Sequence, residues 1–199
     1  MSLVMRVRHV LLGVSVAASI GLVGGCGVPS LVAGSVPGLS ATGAAREEFP
    51  PISESSLTPA QQRFLAVVRA EYRSPRQGTE YSQGADEPWC ANFVSWVAKE
   101  SGAPLANPHS GGWRIPGVWT LQDSLVKKGA FRSADSGYRP KLGDIVMYRE
   151  SSPFGHHTNF VLEEKDGVLT TVGGNEEGKI AVTRHRRGPE LAIIGFGVR

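Results

Sequence analysis

Glu87-Pro88-Trp89-Cys90-Ala91-Asn92-Phe93-Val94-Ser95-Trp96-Val97-Ala98-Lys99-Glu100-Ser101-Gly102 carries its own start and stop signals for a helix. Pro88 suits a first helical position, and Asp86 or Glu87 can stand at or beside the N-cap, where negative charge favours the free backbone N–H groups. Gly102 supplies the stop, with Pro104 just beyond it. Phe93, Trp96 and Val97 fall at helical spacing and predict an apolar face. Cys90 is therefore expected in the first turn, where the helix dipole and backbone N–H groups stabilise a thiolate, the nucleophilic form of cysteine. A free cysteine on an amphipathic helix is ordinarily a small buried hydrophobe. Two other parts of the chain turn the reading towards catalysis. One is a leader that directs export, and the other is a histidine pair followed by an asparagine in a strand-rich second half.

The leader comes first in the chain. Arg6, Arg8 and His9 precede an apolar run from Val10 to Val23, which ends in small residues. A positive start, an apolar stretch of this length and a permissive cleavage site predict a signal peptide over residues 1–25. Gly13, Ser15, Ser19 and Gly21 interrupt the run, which is too short to span a bilayer comfortably. Leu22-Val23-Gly24-Gly25-Cys26 resembles the bacterial lipobox. That resemblance implies cleavage before Cys26, diacylglycerol on its sulfur and a membrane anchor, at about 0.8 kcal/mol for each buried methylene. The alternative is ordinary cleavage nearby and free secretion. Residues 26–56, rich in Gly, Ala, Ser, Val and Pro and without a sustained period, are expected as a flexible tether.

The chain has 199 residues, which leaves one domain, residues 57–199, beyond leader and tether. A domain of about 150 residues buries around 70% of the surface its unfolded chain exposes and holds a core without staples. There are 21 Lys and Arg against 18 Asp and Glu. With Arg6 and Arg8 removed the balance is close to neutral, which gives no argument for a nucleic-acid partner. Arg184-His185-Arg186-Arg187 reads as a solvated strand end. The two cysteines are Cys26 and Cys90. If Cys26 is acylated, Cys90 has no disulfide partner, and a lone thiol kept in an oxidising compartment points to reactivity.

Within the domain, Thr58-Pro59-Ala60-Gln61 predicts a helix start, with Phe64, Leu65, Val68 and Tyr72 on one face of a helix over 59–72. Residues 74–86 read as loop, with Tyr81 as a packing residue whose hydroxyl could also reach the cysteine. Residues 103–117 hold Pro and Gly in quick succession around Trp113 and predict a long shaped loop. Val118 to Lys128 predicts a third helix, with Leu121 and Leu125 inward. Beyond Pro140 the period becomes strand-like. Gly143–Tyr148 reads as a turn feeding a strand-rich run, and strands are expected over His157–Leu162, Val168–Val172, Gly178–Thr183 and Leu191–Val198, with Asp166-Gly167 as a hairpin turn. Helices followed by strands on short turns predict an α+β fold with an antiparallel sheet.

A cysteine nucleophile needs a base or ion-pair partner, which in turn needs an orienting group. His156 and His157 open one strand, and since successive residues point to opposite faces only one of them can meet the helix. Asn175 ends the next strand, where its carbonyl could accept an imidazole N–H. Two adjacent histidines on a strand do not converge on a metal, and no cofactor is expected.

Trp89-Cys90-Ala91-Asn92-Phe93-Val94, Leu142-Gly143-Asp144-Ile145-Val146, Gly155-His156-His157-Thr158-Asn159-Phe160-Val161 and Gly174-Asn175 together resemble the CHAP domain family. These are cysteine, histidine-dependent amidohydrolases and peptidases related to the NlpC/P60 cell-wall peptidases. The resemblance spans residues 57–199 and implies a papain-like fold with the cysteine helix packed on a twisted antiparallel sheet. It assigns Cys90 as nucleophile and His157 as its histidine, because His157-Thr158-Asn159-Phe160-Val161 fits the family register better than one starting at His156. Asn175 takes the polar third position. Two residues depart from the pattern: Asn159 stands where Gly is usual, and Gly173 where many members carry Glu. The implied activity is cysteine acyl transfer on an amide of peptidoglycan, either the N-acetylmuramoyl–L-alanine bond or a peptide cross-link. The rival readings are an NlpC/P60-type stem-peptide endopeptidase and a non-catalytic wall-binding lipoprotein. An exported monomer is expected, held to the outer face of the cytoplasmic membrane or in the wall through Cys26. In a bacterial host, radiolabelled lipid is expected to attach to the precursor and not to its Cys26→Ala variant; an unlabelled wild type would remove the anchor.

Overall fold

The computed structural model describes residues 47–199, so the expected leader, Cys26 and the tether up to residue 46 lie outside the described residues. Helix α1 (Pro59–Arg73) begins where local chemistry requires it. Thr58 Oγ1 accepts the Gln61 N–H at 3.2 Å, and the Gln61 side chain accepts the Thr58 N–H at 3.1 Å. This reciprocal capping box satisfies donors that the first helical turn leaves over. A single turn, α2 (Gly78–Tyr81), stands inside the stretch expected as loop. The cysteine helix α3 (Cys90–Glu100) and α4 (Val118–Lys127) follow, the latter burying Leu121 and Leu125 as its period predicts. No helix among the described residues is long and apolar enough to cross a membrane.

Six strands complete the domain: β1 (Phe131–Ser133), β2 (Ile145–Tyr148), β3 (His157–Lys165), β4 (Val168–Glu176), β5 (Lys179–Arg186) and β6 (Ile193–Gly197). They form one sheet in the order β1-β6-β2-β3-β4-β5, and every neighbouring pair is antiparallel. The α+β architecture expected from the order of periods is the one observed. Strand β1 was not foreseen, because three residues are too few to display an alternation.

Side chains alternate across the sheet and divide the core in two. Phe64 and Val68 of α1, Phe93 and Val97 of α3, and Leu121 and Leu125 of α4 pack on Ile145, Met147, Phe160, Leu162, Val172 and Val182. The intervening residues Val146, Tyr148, Val161, Leu169 and Phe196 gather with Leu191 in a second cluster. Helix α3 enters the first core over β3 and β4, which brings its N-terminal turn to the end of the sheet where β3 starts and β4 finishes.

Within the last ten residues of the expected tether, Phe49, Pro50 and Ile52 pack on the domain. The Phe49 ring lies 5.5 Å from that of Tyr72, and the Tyr72 hydroxyl donates to the Glu47 carbonyl at 2.6 Å. Arg69 donates to the Ile52 carbonyl at 3.2 Å and pairs with Glu54. The stretch has no internal period to reveal this, because its partners lie on α1 and β5. Replacing Phe49 by alanine is expected to cost at least about 1 kcal/mol, the usual worth of an aromatic pair on top of its buried area. That corresponds to a fall of about 2–4 °C in Tm by calorimetry; an unchanged Tm would mean that the stretch adds nothing to stability.

Candidate active site

Helix α3 starts at Cys90, two residues later than its sequence suggests, with Trp89 as N-cap and no side chain capping the first turn. Glu87 is not the cap, because a stronger partner takes it. Its carboxylate pairs with Arg114 from the long loop and accepts from Asn92 Nδ2 at 2.8 Å, while Arg114 Nε donates to Asn92 Oδ1 at 2.9 Å. A guanidinium–carboxylate pair outcompetes a neutral backbone donor for the same oxygen. The triangle fixes the approach to α3, and the N–H groups at Cys90 keep no side-chain partner.

Trp89 sets the position of that first turn. It stacks on Tyr81 with ring centroids 5.3 Å apart and planes 17° from parallel. A Cβ added at Gly78 would lie 2.4 Å from the Trp89 ring, and one at Gly174 would lie 2.4 Å from Trp89 and 2.7 Å from Phe93. The indole is thus clamped between two backbone segments that can approach only because both residues are glycine. Tyr81 is buried and its hydroxyl donates to Glu71 rather than reaching the cysteine. Burial, reinforced by the Glu71 carboxylate, raises its pKa and keeps the phenol neutral.

His157 is the first residue of β3. It shares the parity of Asn159 and Val161, whereas Phe160 and Leu162 face the helices. Cys90 and His157 therefore do not meet through the face of the sheet. They come together at its end, where the imidazole Nε2 lies 3.2 Å from Glu176 Oε1 and Cys90 is close enough to act electrostatically on the ring. Phe154 and Tyr148 lie nearly parallel to the ring at centroid distances of 6.0 and 6.5 Å. Cys90 is 6% exposed, His157 5% and Glu176 5%, so the three are almost withdrawn from water. Burial alone works against the imidazolium. The hydrogen bonds to Cys90 and Glu176, together with their negative charges, outweigh it and push His157 up from 6.5 to about 10.

His156 turns away from this group and sets its ring 4.6 Å from that of Trp119, which is 60% exposed. Asn175 is not brought to the imidazole either. It adopts a left-handed backbone with φ 64°, and the β4–β5 register slips between Gly173 and Glu176. A bulge of this kind redirects the side chains that follow it. Here it aims Glu176 at His157 and leaves Asn175 as the turning residue, the other role open to a Gly-Asn pair. Glu176 is thus the group that sequence reasoning missed. Its only sequence signal is an acid next to a turn-forming Gly-Asn. Among the described residues, no three His, Cys, Asp or Glu side chains gather to hold a metal ion. A cavity of about 270 Å³, lined by Gln61, Phe64, Ser101, Leu125 and Arg199, lies at the other end of α3, away from the sulfur.

The arrangement supplies an acid–base group beside a thiol, a carboxylate that orients it, and unshared backbone donors at the sulfur. Since His157 titrates above its ordinary 6.5, its pairing stabilises the fold fully below pH 6.5, and that contribution is lost as pH rises towards 10. The urea midpoint of the wild type is expected to fall across this window. In Glu176→Gln the fall should shrink, and the His157 resonances should titrate at lower pH by NMR. Identical titration in both proteins would remove Glu176 from the site.

Comparison with known proteins adds to this geometry. No curated protein matches the chain. A solved structure described as "X-ray Crystal Structure of PlyC" is similar at a TM-score of 0.37 and 14% identity, covering 76% of this chain and 43% of that one. The chain thus spans less than half the length of that structure's chain, and a likeness of this size carries no argument. Residues 81–175, from the tyrosine beneath Trp89 to the residue before Glu176, match the family model of the CHAP domain.

Proposed function

We propose that the domain is a cysteine-dependent peptidoglycan hydrolase that cuts an amide bond, either at N-acetylmuramoyl–L-alanine or in a peptide cross-link. The observation that carries this reading is the buried group Cys90, His157 and Glu176 at an uncapped helix start, with His157 hydrogen-bonded to Glu176 and its pKa raised by both neighbours, the cysteine and histidine lying inside a stretch that matches the CHAP domain model. In this reading Glu176 takes the orienting role expected of Asn175. In the reactive form His157 holds the proton and the Cys90 sulfur is the nucleophile.

The sulfur attacks the amide carbonyl. As the carbonyl oxygen gains charge, the Cys90 N–H at the start of α3 is placed to donate to it, a contact worth about 3 kcal/mol in comparable sites. The tetrahedral species collapses by breaking the C–N bond, and His157 gives its proton to the departing amine. A thioester remains. Water then attacks its carbonyl, the neutral imidazole accepts a proton from that water, and the acid product leaves with the sulfur again charged. Glu176 holds one ring nitrogen throughout, so that the other stays turned to sulfur. The exposed indole of Trp119 against His156 offers the polymer an apolar surface one residue from the reacting pair. The setting we propose is outside the cytoplasm, with a lipid anchor at Cys26, residues 26–46 as tether and a monomeric domain reaching the wall.

Cys90→Ser and His157→Ala are each expected to lower the release of new termini from purified peptidoglycan by about a thousandfold or more, with circular dichroism unchanged. Mass spectrometry of the wild-type products names the bond. Full activity in either variant, or no new termini from the wild type, would overturn the reading.

A further inference from the structure

A second side chain shares the carboxylate oxygen that faces the imidazole. Asn159 Nδ2 donates to Glu176 Oε1 at 2.8 Å and to Thr171 Oγ1 at 3.2 Å, and Thr171 Oγ1 is in turn 3.0 Å from Thr183 Oγ1. Asn159 is wholly buried, yet its Oδ1 has no hydrogen-bond partner. An amide kept only for packing would not leave an acceptor unsatisfied in the interior, because such a group destabilises the fold. The strand beside it makes room for this amide. A Cβ at Gly173 would lie 1.8 Å from Asn159 Oδ1 and 3.0 Å from Glu176 Oε1. Nothing in the backbone demands glycine there, since Gly173 has no left-handed φ. The missing side chain therefore serves the close approach alone.

We propose that Asn159, in the space left by Gly173, is a positioning residue that fixes the Glu176 carboxylate against His157. Its amide acts through Glu176 and touches no reacting atom. In so far as turnover is concerned, this rests on the hydrolase reading above; the effect on His157 itself does not. The groups facing His157 are Cys90 from α3, Glu176 from β4, and Tyr148 and Phe154 on its ring faces, while His185 of β5 lies near Glu176. Of these, the amide of Asn159 governs Glu176 alone.

Asn159→Leu, close in volume, removes both the donor and the orphaned acceptor. In the full chain the His157 titration followed by NMR is expected to move down from about 10 towards 6.5, and the Tm at neutral pH to fall, because the pairing that raises His157 stabilises the fold there. Turnover of solubilised peptidoglycan should fall about tenfold, in the range typical of groups that orient a site residue, with KM unchanged. An unchanged titration would overturn the proposal, whether turnover holds or falls together with Tm. A wild type that releases no new termini would defeat the hydrolase reading and leave the NMR comparison to decide this one. A second pair of variants guards against misfolding of the first. Asn159→Gly should lower the titration, and adding Gly173→Ser should restore it, because a hydroxyl on that Cβ falls beside Glu176 Oε1. A folded double variant that titrates no higher than Asn159→Gly would also overturn the proposal.

Discussion

A protonated imidazole withdrawn from water needs negative charge close by, and this requirement governs how the domain is built. His157 is buried among Tyr148, Phe154 and the ends of two strands, where solvent does little to support a cation. Cys90 and Glu176 supply the support, one from a helix and the other from the sheet. Neither could do so if the first turn of α3 stood a few ångströms further from β4. The grouping of these three side chains is therefore as much a statement about helix–sheet distance as about chemistry.

That distance is set by what β4 omits. At Gly174 the strand lets Trp89 and Phe93 come down onto its backbone, and at Gly173 it lets an amide and a carboxylate share one volume. Two consecutive residues, facing opposite ways, thus serve opposite faces of the same strand. The first admits the polar support of the imidazole, and the second admits the helix that carries the sulfur. Trp89 transmits the constraint outward, since Tyr81 beneath it is tied to Glu71 and so to α1.

What could be read from the sequence follows from how local each determinant is. The start of α1 is a contact between residues three apart, and the capping box was legible in full. Strand alternation revealed β2 to β6, and the residue pattern around His157 distinguished it from His156. The start of α3 was misplaced because Arg114, far along the chain, takes the carboxylate that would have capped it. Glu176 was hidden for a related reason: the bulge that aims it exists only once β4 is paired with β5. Asn159 and Gly173 stood out singly as departures from the family pattern. That they are two halves of one contact could be seen only in three dimensions.

The docked stretch before α1 has a consequence for how copies of the protein meet one another. Strand β5 is the outermost of its side of the sheet, with backbone groups that could recruit a strand from a neighbouring molecule. Glu47 occupies one of them, its N–H donating to the Val182 carbonyl at 3.3 Å, and its carboxylate holds Arg184 of the same strand at 3.0 Å. The opposite margin is guarded by brevity, since β1 offers only three residues. Both rims are thereby blunted against intermolecular strand addition.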